Sequence, residues 1–191
     1  MSDTERFPFL SRVLHWLMAI LVLAMLFIGI AMVASVTVYA ELVAIHKPIG
    51  AAILVLVAIR LINRLVNPPP PLPDWMPPWQ RFIASASHWV LYALMFALPL
   101  VGWAMLSAAD YPIELVGGWH LPAILAPDAK LYATLRSLHS ALAYTLFAVV
   151  LMHVGAALMH ALVYRDGVYQ SMATLAPPSR RKTPPEPIAP A

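Results

Sequence analysis

At 191 residues, with 61% hydrophobic and 11% charged side chains, the chain is far more apolar than soluble domains, which are about half apolar and a quarter charged. The formal charge of +3 comes from basic residues clustered in particular connecting segments, which speaks of membrane topology and anionic lipid rather than nucleic acid. The absence of cysteine excludes disulfides, thiolate-bound iron–sulfur clusters and covalent attachment through a C-x-x-C-H motif.

The first element is an apolar run from Val13 to about Val36, expected as a span over residues 12–36 with His15 and Trp16 near its start. Its length exceeds the roughly 7 to 15 residues of a cleavable signal core, so an anchored helix is expected. A second span is expected over 42–66, with Pro48 near its first turn and Arg60 and Arg64 at its exit. Residues 67–80, NPPPPLPDWMPPWQ, hold too many prolines for a helix and read as an extended connector, with Trp75 and Trp79 suited to the headgroup interface. The third span, 82–107, contains Pro99 and Gly102, where a kink and a close helix approach are expected.

Ala108 to Lys130 is too irregular and too rich in Gly and Pro to cross a bilayer. A fourth span is expected over 132–164, long enough to project beyond the hydrocarbon, and the Pro-rich tail 176–191 is expected to be disordered. The fold class is all-α: one domain over 1–175, an integral membrane four-helix bundle. In that topology Arg6, Arg12, Arg60, Arg64, Arg81, Arg165, Arg180, Arg181 and Lys182 share one side, and Lys47, Lys130 and Arg136 the other. That bias places both termini in the cytoplasm.

The last span carries His139 and His153 in an otherwise apolar helix. Fourteen residues at about 100° and 1.5 Å each return the two to nearly one helix face, about 21 Å apart along the axis. Imidazoles in lipid must face partners in the protein interior. The four-span topology supplies them: His15 matches His153 in depth near the cytoplasmic side, and His46 matches His139 near the outer side. For any one histidine alone a hydrogen-bonded helix contact is the commoner explanation. Two pairs at two depths instead favour axial ligation of two noncovalent b-type haems.

The remaining histidines are less marked. His160, seven residues beyond His153, faces the same interior and could meet a quinone carbonyl, a haem propionate or interfacial water. His88 is equally a packing residue or a site residue, and His120 is expected to be solvated. Haem propionates need cations, and Arg12, Arg60, Arg64 and Arg81 inside, with Lys47 and Arg136 outside, are the candidates. Positive-inside anchoring alone accounts for the inner set equally well.

These residues resemble the prokaryotic cytochrome b561 family over about Arg12 to Ala173. The carriers are Leu14-His15-Trp16, His46-Lys47-Pro48-Ile49-Gly50, Arg60-Leu61, His88 to Tyr92, Ala97 to Trp103, Leu138-His139, Ala141 to Tyr144, His153, Ala156-Ala157-Leu158, His160 and Arg165-Asp166-Gly167. The resemblance implies a dihaem protein of the bacterial inner membrane that moves electrons between a periplasmic donor and ubiquinone. His15, His46, His139 and His153 would be the ligands, and Arg12 and His160 quinone-site candidates. One branch oxidises superoxide at the outer haem. Here Asp110-Tyr111-Pro112 stands where many relatives carry a Gly-Lys-Pro or Gly-Arg-Pro turn, and Ser140 where an acidic residue is frequent. An acid and a phenol in place of that cation weaken the steering of an anion. A cytochrome b anchor for a hydrogenase or dehydrogenase is a further alternative, with the outer loop as its docking surface.

Overall fold

The computed structural model describes residues 6–115 and 117–173. Four long helices dominate it: α1 (Phe9–Ala34), α2 (Tyr39–Val66), α3 (Pro78–Ala108) and α4 (Ala129–Leu158). A π-helical turn, Met159–Tyr164, continues α4, and a short helix, α5 (Val168–Ala173), closes the described chain. All four long segments are long and apolar enough to cross a membrane, and the protein is a four-helix membrane bundle. The tail 176–191 lies outside the described residues.

Element boundaries depart from the sequence reading for identifiable reasons. α3 begins four residues earlier than expected because Pro78 occupies its first position, where a missing N–H costs nothing. α2 begins at Tyr39, so Pro48 sits well inside the helix rather than in its first turn. α4 begins at Ala129 because Asp128 caps it, its carboxylate accepting from the Leu131 amide at 2.9 Å.

The loop between α3 and α4, which the sequence assigns to the outer side, is more ordered than its composition suggests. Two short strands, β1 (Ile113–Glu114) and β2 (His120–Leu121), pair antiparallel with Ile113 opposite Leu121. The loop is fastened to the end of α3: Trp103 Nε1 donates to the Pro122 carbonyl at 2.9 Å, and the Ile124 amide donates to Ser107 Oγ at 3.2 Å. The Asp128 amide donates to the Ala108 carbonyl at 2.9 Å, so α3 and α4 are joined at their outer ends.

The backbones pack most closely within the α1–α2 and α3–α4 hairpins, with α2 against α3. The seams between α4 and the first two helices are wider, and there side chains rather than backbones meet. A buried cluster at mid-height draws on every helix: Val22, Ile53, Leu94, Leu146 and Val149. Large apolar side chains also cover the outside, Phe27 being 70% exposed, which is the expected surface of a bundle whose solvent is hydrocarbon.

The first and last described segments meet at one end of the bundle. The Phe7 amide donates to the Ser171 carbonyl at 3.3 Å, and Trp16 Nε1 donates to the Met172 carbonyl at 3.3 Å, which seats α5 against α1. Asn63 Nδ2 donates to Ser11 Oγ at 2.7 Å within the same layer, a buried polar contact between α1 and α2.

Candidate functional site

Two histidine pairs form two layers on either side of the central apolar cluster. At the end where α5 meets α1, His15 of α1 faces His153 of α4 with ring centroids 6.3 Å apart and planes 62° apart. Toward the other end, His46 of α2 faces His139 of α4 at 6.2 Å and 66°. A metal held by one nitrogen from each of two imidazoles, at metal–nitrogen distances of about 2 Å, sets the ring centroids about 6 Å apart. Both separations match that span.

The outer pair lines a cleft of about 540 Å³, a size typical of cofactor sites. Its walls are mostly apolar, with the small residues Gly50, Ala51 and Ala52 on the α2 side. Pro48 and Pro99, the two prolines inside helices, both line it. Each lacks the amide that would close a helical turn, and each opens its helix beside the cleft. Gly102 serves a narrower purpose. A Cβ there would lie 3.3 Å from His139 Cε1, so only glycine lets the ring rest against α3 without displacement. Nδ1 of His46 and of His139 is buried without a hydrogen bond of acceptable geometry. Orphaned buried polar atoms are rare, and His46 Nδ1 is one, on a ring that faces His139 in an apolar cleft. That donor set fits a flat, apolar, metal-centred group better than it fits a packing contact.

The inner pair has denser surroundings. Arg60 Nη2 lies 3.0 Å from His15 Nδ1. Arginine only donates, so Nδ1 accepts and the ring's own proton sits on Nε2. His88 of α3 also reaches this layer, its ring 5.5 Å from that of His153 and 74° to it. His88 is equally a packing or a site residue by sequence, and the geometry brings it to the inner histidines. Its separation from His153 is shorter than an iron between the rings would need, and the His15 separation is not. The signal for His88 was weak because only the rotation of α3 about its axis, which sequence spacing leaves open, decides whether residue 88 faces inward.

A sequence model described as Prokaryotic cytochrome b561 matches residues 6–175. The chain belongs to this family. It is 33% identical over 175 residues to "Cytochrome b561 homolog 2" of Escherichia coli (strain K12), covering 90% of this chain and 93% of that one. It is 30% identical over 174 residues to "Probable superoxide oxidase CybB" of Yersinia pestis, covering 88% and 96%. A third relative, "Cytochrome b561 homolog 1" of Escherichia coli (strain K12), is 30% identical over 132 residues, 66% of this chain and 72% of that one. A prokaryotic cytochrome b561 is a multi-pass membrane electron-transfer protein, and membership implies b-type haem.

The cationic candidates fall into distinct places in this cytochrome b561. Lys47 lines the outer cleft, its Nζ 3.5 Å from the Pro112 carbonyl. Arg136 is exposed and hydrogen-bonds the Tyr132 hydroxyl one turn back at 3.2 Å, so three residues of helix turn it out of the cleft lining. Arg64 stacks over Trp89 and Tyr92, at 5.6 and 5.8 Å. Arg81 donates to the carbonyls of Met76 and Asp74 and so fastens the connector instead of reaching a histidine layer. Arg12 is buried, its guanidinium 5.9 Å from the Phe9 ring. His120 is exposed on β2, as expected of a solvated residue.

His160 lies in the π-helical turn, its Nδ1 2.7 Å from Asp166 Oδ2. Asp166 was missed as a partner. In a regular helix residues six apart do not face each other, and the contact depends on a left-handed turn at Arg165, φ 52°. The π-helical turn is a further feature without a sequence signature, and such turns cluster at functional sites.

Proposed function

We propose that this cytochrome b561 carries two haem b groups and passes electrons from a periplasmic donor to the ubiquinone pool of the bacterial inner membrane. The observation that carries the reading is the pair of cross-helix imidazole couples, 6.3 and 6.2 Å between ring centroids, at two levels of the bundle. His15 and His153 hold the inner haem, and His46 and His139 the outer one. Haem at these positions supplies one-electron exchange at iron. The chain contributes what surrounds it. The apolar walls exclude water, Gly102 and the helix prolines shape the outer cleft, and cations neutralise the propionates.

Arg60 has a defined task in this scheme. A ligand through His15 Nε2 requires the ring proton on Nδ1, which then cannot accept from Arg60. The guanidinium therefore leaves His15 and is available to a propionate carboxylate. Arg64 at the inner layer and Lys47 at the outer one are placed near enough to act likewise, and Arg136 only if its side chain swings inward from Tyr132. Arg12 and His160, at the end where α5 meets α1, are the quinone-binding candidates. The four-span topology assigns nine of the twelve basic residues to that side, which supports its facing the cytoplasm.

Superoxide is a second reading for the donor, favoured by the relative named "Probable superoxide oxidase CybB". Lys47 is the cation in the outer cleft, while Asp110 and Tyr111 at the loop oppose anion entry. Stopped-flow mixing with superoxide distinguishes the donors, since failure of the b-type bands to reduce removes this one.

Haem stoichiometry and a reduced-minus-oxidised spectrum test the central reading. The parent is expected to hold two haems per chain, and His46→Ala and His153→Ala to lose one each, from different spectral components. Unchanged haem content in both variants would overturn the ligand assignment.

A further inference from the structure

The end of the bundle where α5 meets α1 holds a second built site, apart from the histidine layers. His160 Nδ1 and Asp166 Oδ2 are 2.7 Å apart, and the two side chains are 17% and 7% exposed. The other carboxylate oxygen, Oδ1, accepts from the Val168 amide at 3.1 Å, so Asp166 is fixed by both oxygens. The backbone is shaped to make this pair. The Arg165 amide donates to the His160 carbonyl at 2.9 Å across the π-helical turn. Arg165 then takes φ 52°, uncommon for a residue with a side chain, and Gly167 takes φ 85°. A positive φ at a residue with a side chain persists where surrounding contacts hold it, as they do at Arg165.

The imidazole is oriented on its other side as well. Tyr164 packs against His160 with ring centroids 5.3 Å apart, and Trp75 of the connector packs against Tyr164 at 5.1 Å. Because a carboxylate only accepts, Nδ1 carries a proton toward Asp166, and Nε2 is left for a ligand. No hydrogen bond joins Nε2 to another described residue. A ring held at one nitrogen by a buried carboxylate, with the other nitrogen open, is arranged to give and take protons there.

We infer that His160 and Asp166 form a proton relay serving the quinone, with His160 the catalytic donor and Asp166 its positioning residue. The inference rests on the quinone reading above. Reduction of one quinone takes two electrons, delivered singly from the donor through the protein, and two protons. His160 supplies one proton: its Nε2–H bond breaks as an O–H bond forms on a quinone carbonyl oxygen. Asp166 keeps the ring in register and compensates the positive charge while both nitrogens are protonated. Water at the membrane surface reprotonates Nε2 and supplies the second proton to the other oxygen.

The test uses purified dihaem protein, reduced, with a short-chain ubiquinone as probe. Four quantities are read: haem per chain, quinone affinity from tryptophan quenching, the rate at which the b-type bands reoxidise, and its solvent deuterium isotope effect. Asp166→Asn keeps an acceptor for Nδ1 but removes the charge. It is expected to retain haem and quinone affinity, to slow reoxidation at least tenfold with a larger isotope effect, and to recover rate with added formate. His160→Gln, which cannot carry the proton, is expected to slow by at least as much, without formate rescue. Parental rates in either variant at parental affinity overturn the relay and leave the quinone reading intact. A parent that quinone neither binds to nor reoxidises overturns the quinone reading itself. Loss of haem in both variants assigns the pair to bundle structure and also overturns the relay.

Discussion

At the scale of single residues, the function rests on how few side chains are allowed near the outer histidines. Gly102 shows this most directly, because the ring of His139 occupies the space a side chain would take. An alanine forces a shift of a few tenths of an ångström, since its Cβ would lie 3.3 Å from Cε1. A leucine cannot be accommodated by so small a movement and must rotate the imidazole out of the cleft. Gly102→Leu is therefore expected to lose the outer haem while keeping the inner one, so that haem per chain falls from two to one and only one spectral component disappears. Equal loss of both components would mean that the glycine serves helix packing in general. The inner layer works differently. There His15, His88 and His153 crowd one another, and Arg60 competes for a ring nitrogen, so occupancy depends on which group each donor selects.

At the scale of elements, the four spans were legible because apolar runs of this length have no other use, and their histidine depths could be matched from loop positions alone. The outer hairpin was not legible: its strands are two residues each, too short for any period, and they are held by Trp103 and Ser107 of α3. α5 and the π-helical turn escaped for a similar reason, since both are fixed by contacts with α1, the connector and Asp166 rather than by local preference. The start of α4 had a readable signal in Asp128, an N-cap residue before a long apolar helix. Because α4 carries one histidine of each facing pair, loosening its first turn should be felt in stability before it is felt in the site. Asp128→Ala is expected to cost about 1 kcal/mol, the usual worth of such a cap, and to lower the melting temperature by a few degrees with two haems retained. A melting temperature unchanged from the parent would mean the outer loop holds α4 without the cap.

At the scale of the molecule, the decisive arrangement is that α4 is shared while α1 and α2 each serve one layer. His139 and His153 are fourteen residues apart on α4, about 21 Å along its axis, with Val22, Ile53, Leu94, Leu146 and Val149 packed between the layers. That core is apolar and contributed by all four helices, so it insulates the layers from water and holds their spacing. On the proposed reading the two layers are separable by mutation yet needed in series by any electron that crosses. Oriented proteoliposomes containing ubiquinone test the series, with a membrane-impermeant one-electron donor confined to the side bearing the outer loop. The parent is expected to form quinol. His46→Ala, which removes a proposed ligand of the outer layer only, should leave the inner haem unreduced by that donor, although quinol added from within the membrane still reduces it. His153→Ala should show the reverse: the outer haem is reduced from outside, and quinol does not accumulate. If His46→Ala still passes electrons from the outer donor to quinone at the parental rate, the layers are not in series, and the bundle would be working from one end alone.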